Sequence, residues 1–105
     1  MKSNKHLIIK RAKFGGGHPH VIVLEIDGKY FSVGLTHSMK SGSHKNYMVV
    51  ISDGRVAYMV HYASSYNKYM YNNHIEKYHI RFEDEKRAKE IVFNSKKYKN
   101  KKWLN

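Results

Sequence analysis

Four of the eight histidines gather around two adjacent apolar runs. His18 and His20 open the first run, His37 follows the second, and His44 lies in the polar stretch beyond. Imidazole titrates near neutral pH, so two such rings side by side can serve as base and acid in one reaction. The reaction that suits them is RNA cleavage through the substrate's own 2′-hydroxyl. It needs a base for that hydroxyl, an acid for the departing 5′ oxygen, and donors for the charge on the phosphorane. Thr36 and Ser38 supply hydroxyls, Lys13, Lys40 and Lys45 supply cations, and the chain at Gly16 and Gly17 supplies backbone amides.

The elements that must position this set start with a hairpin. Residues 20–26 (HVIVLEI) form a continuous apolar strand, Asp27-Gly28 is a dipeptide favoured in two-residue turns, and residues 29–37 (KYFSVGLTH) return. With that turn, opposing residues sum to about 55, which sets His18 across from His37 and Thr36 beside Pro19. His18 and His37 are therefore the expected proton-transfer pair, with Thr36 and Ser38 on the phosphate. Lys13, Gly16, Gly17, His20, Lys40, His44 and Lys45 are the expected contacts to the RNA backbone.

Two other readings compete. His18-x-His20 with His37 or His44 could hold zinc or copper, but there is no cysteine, and Glu25 and Asp27 sit at the turn end of the hairpin. A site with no metal and no other cofactor is the preferred expectation. For His6, His61, His74 and His79 the plain reading is surface residues.

Around the hairpin, residues 5–10 (KHLIIK) read as a first strand, broken by Gly15-Gly16-Gly17 and the single proline, Pro19. Residues 38–46 read as a polar loop, and residues 47–52 and 55–62 as a second hairpin about Asp53-Gly54. Residues 63–73 fit neither helix nor strand cleanly, and residues 78–82 (YHIRF) suit one more strand. Residues 83–97 are the best helix. It has an acidic start, Glu83-Asp84-Glu85, and a basic end, with Ala88, Ile91 and Val92 on one apolar face. Residues 96–102 hold five lysines, with Trp103-Leu104 behind them as a candidate anchor. One domain over residues 1–105 is expected, its core spanning about 5–98 and a basic tail 96–105. The fold class is mainly β with a C-terminal helix: a small, strongly bent antiparallel sheet or barrel. An α+β sandwich is the alternative.

Charge says most about the partner. Twenty Lys+Arg face eight Asp+Glu, for a net charge of +12 and a pI near 9.9. Before Glu76 the only acids are Glu25, Asp27 and Asp53. Such a field concentrates polyanions, and nine tyrosines, four phenylalanines and Trp103 add faces on which bases can stack. RNA is the expected partner. The basic N-terminus carries only the apolar run 7–9 (LII), too short for a signal-peptide core or a membrane span, so a soluble, unprocessed protein with no membrane partner is expected.

The segment 16–24 (GGHPHVIVL) followed by Gly34-Leu35-Thr36-His37 resembles the MazF/PemK ribonuclease toxins. These have a glycine-rich loop, then Arg-Pro and an apolar strand, then a strand ending in small-Leu/Ile-Thr-Ser/Gly. It is still more similar to the ToxN toxins of type III toxin–antitoxin systems. In those, a strand like Val23-Leu24-Glu25-Ile26 leads through Gly-Lys-Tyr, here Gly28-Lys29-Tyr30, into Pro-Leu-Thr-Ser. The motifs span roughly residues 6–62. The resemblance implies an SH3-like barrel with a C-terminal helix and metal-independent cleavage of RNA to a 2′,3′-cyclic phosphate. It also implies a cognate RNA or protein antitoxin and a cytoplasmic protein, bacterial or phage-encoded, leaving self-association open. This chain departs from the pattern at two positions: the family arginine is His18, and the residue after the threonine is His37. An RNA-cleaving toxin is thus the leading expectation. A non-enzymatic, SH3-like nucleic-acid-binding module, such as a phage factor acting on a host nucleoprotein, is the rival.

Overall fold

The computed structural model describes residues 5–100, so the last residues of the lysine tail and Trp103-Leu104 lie outside the described residues. Nine strands precede the helices: β1 Ile9–Ala12, β2 Pro19–Ile26, β3 Lys29–Thr36, β4 Lys40–Ser41, β5 His44–Lys45, β6 Tyr47–Val50, β7 Val56–Met59, β8 Ser64–Asn67 and β9 Tyr71–Ile75. A single 3-10 turn, Lys68–Met70, joins β8 to β9, and two helices follow, α1 Phe82–Phe93 and α2 Lys96–Lys99. The protein is thus mainly β with a C-terminal helix, as expected. Seven strands make one antiparallel sheet in the order β6-β7-β3-β2-β1-β9, with β8 also on β3. Among the described residues that sheet does not close on itself; β6 and β9 are its ends.

The expected hairpin turn is present. Asp27 and Gly28 both have positive φ, 55° and 80°, the backbone of a primed turn whose twist matches the strands it joins. The ladder then departs from a uniform register. Near the turn Ile26 faces Lys29 and Leu24 faces Phe31, but Ile22 faces Ser32 and His20 faces Gly34. A bulge at Val23 inserts one extra residue into β2. Opposing residues therefore sum to 55 on the turn side and to 54 beyond it. Continued to the open end, this register sets His18 across from Thr36 and displaces His37 by one position, which corrects the expected His18–His37 opposition. The extra residue lets Val21, Val23 and Leu24 all reach the main core, while Ile22 packs with Ala12, Tyr30 and Tyr71 in a second cluster.

The other departures have equally local causes. Residues 63–73 become β8, the 3-10 turn and β9, because β8 pairs along the first half of β3. Residues 78–82 make one bridge, Ile51 to Ile80, and no strand. The expected helix 83–97 breaks after Phe93, where Ser95 Oγ donates to the Val92 carbonyl at 2.6 Å and accepts the Tyr98 amide at 3.2 Å, starting α2. The expected loop 38–46 contains the two-residue ribbon β4–β5.

Helix α1 covers the main core with Ala88 and Val92, both fully buried, and with Ile91 at its margin. Two of the three acids in its first turn, Asp84 and Glu85, face inward. Asp84 Oδ2 accepts Arg81 Nε at 3.2 Å and the Val50 amide at 3.4 Å. Glu85, 3% exposed, accepts the Leu7 amide at 2.9 Å and lies 2.8 Å from His6 Nδ1. His6 is itself sandwiched between the rings of His79 and Phe82 at 3.6 and 3.9 Å. The segment leading into β1 is thus held to the helix by one carboxylate. Glu85→Ala should cost roughly 2–3 kcal/mol, because the Leu7 amide loses its buried acceptor. Urea unfolding at pH 7 checks this, and a loss below about 0.5 kcal/mol would show the tie to be unimportant.

Candidate active site

β1, β2, β3 and β7 end around one groove of about 300 Å³. Its apolar floor is Pro19, Leu35, Ile51 and Ala57, and its rim carries Arg11, His18, Thr36, His37, Arg55 and Tyr78. Three residues singled out from sequence, His18, Thr36 and His37, therefore do meet, with Gly16 beside them. No carboxylate lines the groove among the described residues.

Each rim residue has a local reason for its place. Arg11 pairs across from Pro19, and its guanidinium donates to the Gly17 carbonyl at 3.0 Å, pinning the glycine loop. Gly15 and Gly17 adopt φ of 58° and 72°, where a Cβ is strained. At Gly16 the demand is for space: a Cβ there would lie 2.9 Å from His18 Nε2, so the imidazole rests over bare backbone. Thr36 Oγ1 accepts the Ser38 amide at 3.2 Å, which orients the hydroxyl while its proton can still be donated.

Arg55 is held by Asp53, whose carboxylate accepts Nε at 2.8 Å, and its guanidinium lies 5.0 Å from the Tyr78 ring centre. The Arg55 amide, then its side chain, hold the Asp53 carboxyl below the usual carboxylate range. Burial, then the charge of Glu76, push the Tyr78 phenol above its ordinary value, so it is a hydrogen-bond donor at neutral pH. Two imidazoles, two guanidiniums, a phenol and a threonine hydroxyl then face one space. Such a set can bind a phosphodiester and move protons at both of its ester oxygens.

Other expected contacts lie elsewhere. His20 is the clearest correction. It is 7% exposed, its Nδ1 is 2.9 Å from Ser32 Oγ, and Ser32 Oγ is 2.8 Å from Tyr71 Oη. Glycine at position 34 leaves the His20 ring room, since a Cβ there would approach Nε2 to 3.2 Å. His20 therefore packs into the second cluster, beside Tyr71 and Phe14, instead of presenting its ring to a ligand. His44 stacks on His61 at 4.3 Å. Lys40 and Lys45 pair on the β4–β5 ribbon, and Asn46 ties the Ser38 carbonyl to that ribbon through Nδ2 at 3.0 Å. Lys13 is exposed, and its amide donates to the Met70 carbonyl. Lys13, Ser38, Lys40, His44 and Lys45 do not line the groove, and Gly17 touches it only through Arg11. The alternative metal set of His18, His20 and His37 or His44 does not assemble either: among the described residues no three His, Cys, Asp or Glu side chains come together as ligands.

Arg11, Arg55 and Tyr78 escaped the reading of the sequence. Arg55 follows directly on the Asp53-Gly54 turn and was the most findable; Arg11 needed the β1–β2 register, and nothing local marks Tyr78. No family model, curated protein or solved structure matches the chain.

The His20 ring carries a pH consequence. Burial, with a smaller contribution from His18, lowers its pKa from 6.5 to about 4. The unfolded chain therefore binds a proton that the folded chain refuses. The stabilisation is complete above pH 6.5 and falls away as pH drops through about 4, a loss of roughly 3 kcal/mol. Urea unfolding of wild type and His20→Gln at pH 7 and 4.5 checks this. The variant should lose markedly less stability across that interval, and equal losses would show that His20 is not the group responsible.

Proposed function

We propose that the groove is the active site of a metal-independent endoribonuclease of toxin type. It would cleave RNA through the 2′-hydroxyl to leave a 2′,3′-cyclic phosphate and a 5′-hydroxyl. The observation that carries this is the convergence of His18, Thr36 and His37 with Arg11 and Arg55 around one groove free of carboxylates among the described residues. One imidazole takes the 2′-hydroxyl proton as that oxygen attacks phosphorus; the other protonates the departing 5′ oxygen. Arg11, Arg55 and the Thr36 hydroxyl offset charge on the non-bridging oxygens, and Tyr78 adds a donor at the edge. The resemblance to MazF/PemK and ToxN toxins supports the same reading, including an SH3-like barrel as the nearest description of the bent sheet. A cognate antitoxin, RNA or protein, and a cytoplasmic site of action in a bacterium or its phage belong to it. The net charge of +12 also favours a second reading, a basic nucleic-acid-binding module without turnover.

The readings separate by assay. Purified protein incubated with mixed RNA in EDTA should produce cyclic-phosphate ends; intact RNA at micromolar protein, or cleavage abolished by the chelator, sinks the metal-free mechanism. His18→Ala and His37→Ala should each lower the cleavage rate about a hundredfold or more while RNA affinity changes little. Undiminished cleavage in both would refute the assignment. Gly16→Ala should displace the His18 ring at little cost in stability, since only a side chain must move, and slow cleavage with it. Free expression in the absence of any inhibitor, with salt-sensitive binding and no turnover, is the pattern expected of the binding module.

A further inference from the structure

A second cavity of about 530 Å³ opens where the segment after β7 meets the junction of α1 and α2. None of the residues read from sequence as substrate contacts lines it. Its construction is specific. The Ser95 bonds that break the helix place Asn94, Lys96 and Lys97 along one wall, and Lys97 Nζ donates to the Ala63 carbonyl at 3.0 Å, tying that wall to the strands. Arg87 is held 4.1 Å over the Tyr47 ring. Across from these cations are His61 and Tyr62, in edge-to-face contact at 5.3 Å, with Tyr62 52% exposed. His61 Nδ1 is buried and has no hydrogen-bond partner. One carboxylate, Glu90, shares the wall with the cations.

These groups divide as a nucleotide divides. An exposed tyrosine offers a face for a base, and Arg87 and Lys96 offer charge to a phosphate. A lone carboxylate lining the same cavity, Glu90, repels a simple anion but accepts hydrogen bonds from a base edge. Guanine alone presents two adjacent N–H donors, N1 and N2, that a carboxylate can accept together. We propose that this cavity binds one unpaired guanine nucleotide of a single-stranded RNA, with the base on Tyr62, its edge on Glu90 and its phosphate on Arg87 and Lys96. The inference rests on RNA being the partner of the first groove and adds a base preference to it. The two cavities are linked through β7: Val56 lines the first and His61 the second, separated by at most roughly 18 Å of chain. That separation is within the reach of a few nucleotides of one RNA strand.

Fluorescence anisotropy with 2′-O-methylated oligonucleotides tests this without cleavage. A uridine heptamer with one central guanosine should bind about tenfold tighter than the all-uridine heptamer. Tyr62→Ala and Lys96→Ala should each remove about tenfold of that affinity, because both side chains are exposed and their loss leaves the fold intact. Glu90→Gln should abolish the guanine preference while retaining binding. Equal affinity for the two heptamers, insensitivity to Tyr62→Ala and Glu90→Gln, or a poly-glutamate peptide competing as well as RNA would each overturn the inference. RNA cleavage without any guanine preference here overturns this site and leaves the nuclease. Guanine binding lost in Tyr62→Ala, with no cleavage of unmodified RNA, overturns the nuclease and leaves this site.

Discussion

β3 is the strand on which the rest of the molecule depends. Residues 30–35 of it are all buried, so neither face meets solvent over most of its length. One edge pairs with β2 over Lys29–Gly34; the other pairs with β8 over Lys29–Ser32 and with β7 at Leu35 and Thr36. A strand shared among three partners must pass from one to another near its middle. There Ser32 hydrogen-bonds His20 and Tyr71, and Gly34 makes room for the imidazole. A buried polar network is favourable only when each member finds its partner. Here it ties β2, β3 and β9 together within the second cluster, at the point where the sheet divides.

The bulge in β2 follows from the same crowding. An extra residue at Val23 lets the strand feed both clusters, and it moves the far half of the hairpin by one position. Thr36, whose hydroxyl is oriented by the Ser38 amide, lines the same groove as His18, whose ring is seated on Gly16. The groove is therefore set by the bare backbone at Gly16 as well as by its polar side chains.

Four of the eight acids are engaged in structure. Asp84 and Glu85 anchor α1 to β6 and to the chain leading into β1, Asp53 orients Arg55, and Glu25 meets Lys68 at 3.4 Å. With the carboxylates so engaged, the rim of the first groove is left cationic. The field expected from composition thus has a physical origin in where the acids are needed for folding.

What the sequence determined by itself was the chemistry available and its rough neighbourhood. The β-rich class, the Asp27-Gly28 turn, the apolar face at Ala88 and Val92, and the meeting of His18, Thr36 and His37 all follow from local patterns of residue type. Local patterns suffice there because a hairpin brings its own ends together. Tertiary structure decided everything that depends on a partner far along the chain. The bulge answers to two cores at once, and residues 63–73 become strand only because β3 offers an edge. Glu85 turns inward because Leu7 needs an acceptor. His20, identical in type to His18 and two residues away, is buried where His18 is exposed, since His20 lies inside β2 under the sheet's second cluster while His18 precedes the strand, at the end of the glycine loop. Arg11 and Tyr78 joined the site through tertiary placements that no short-range spacing encodes.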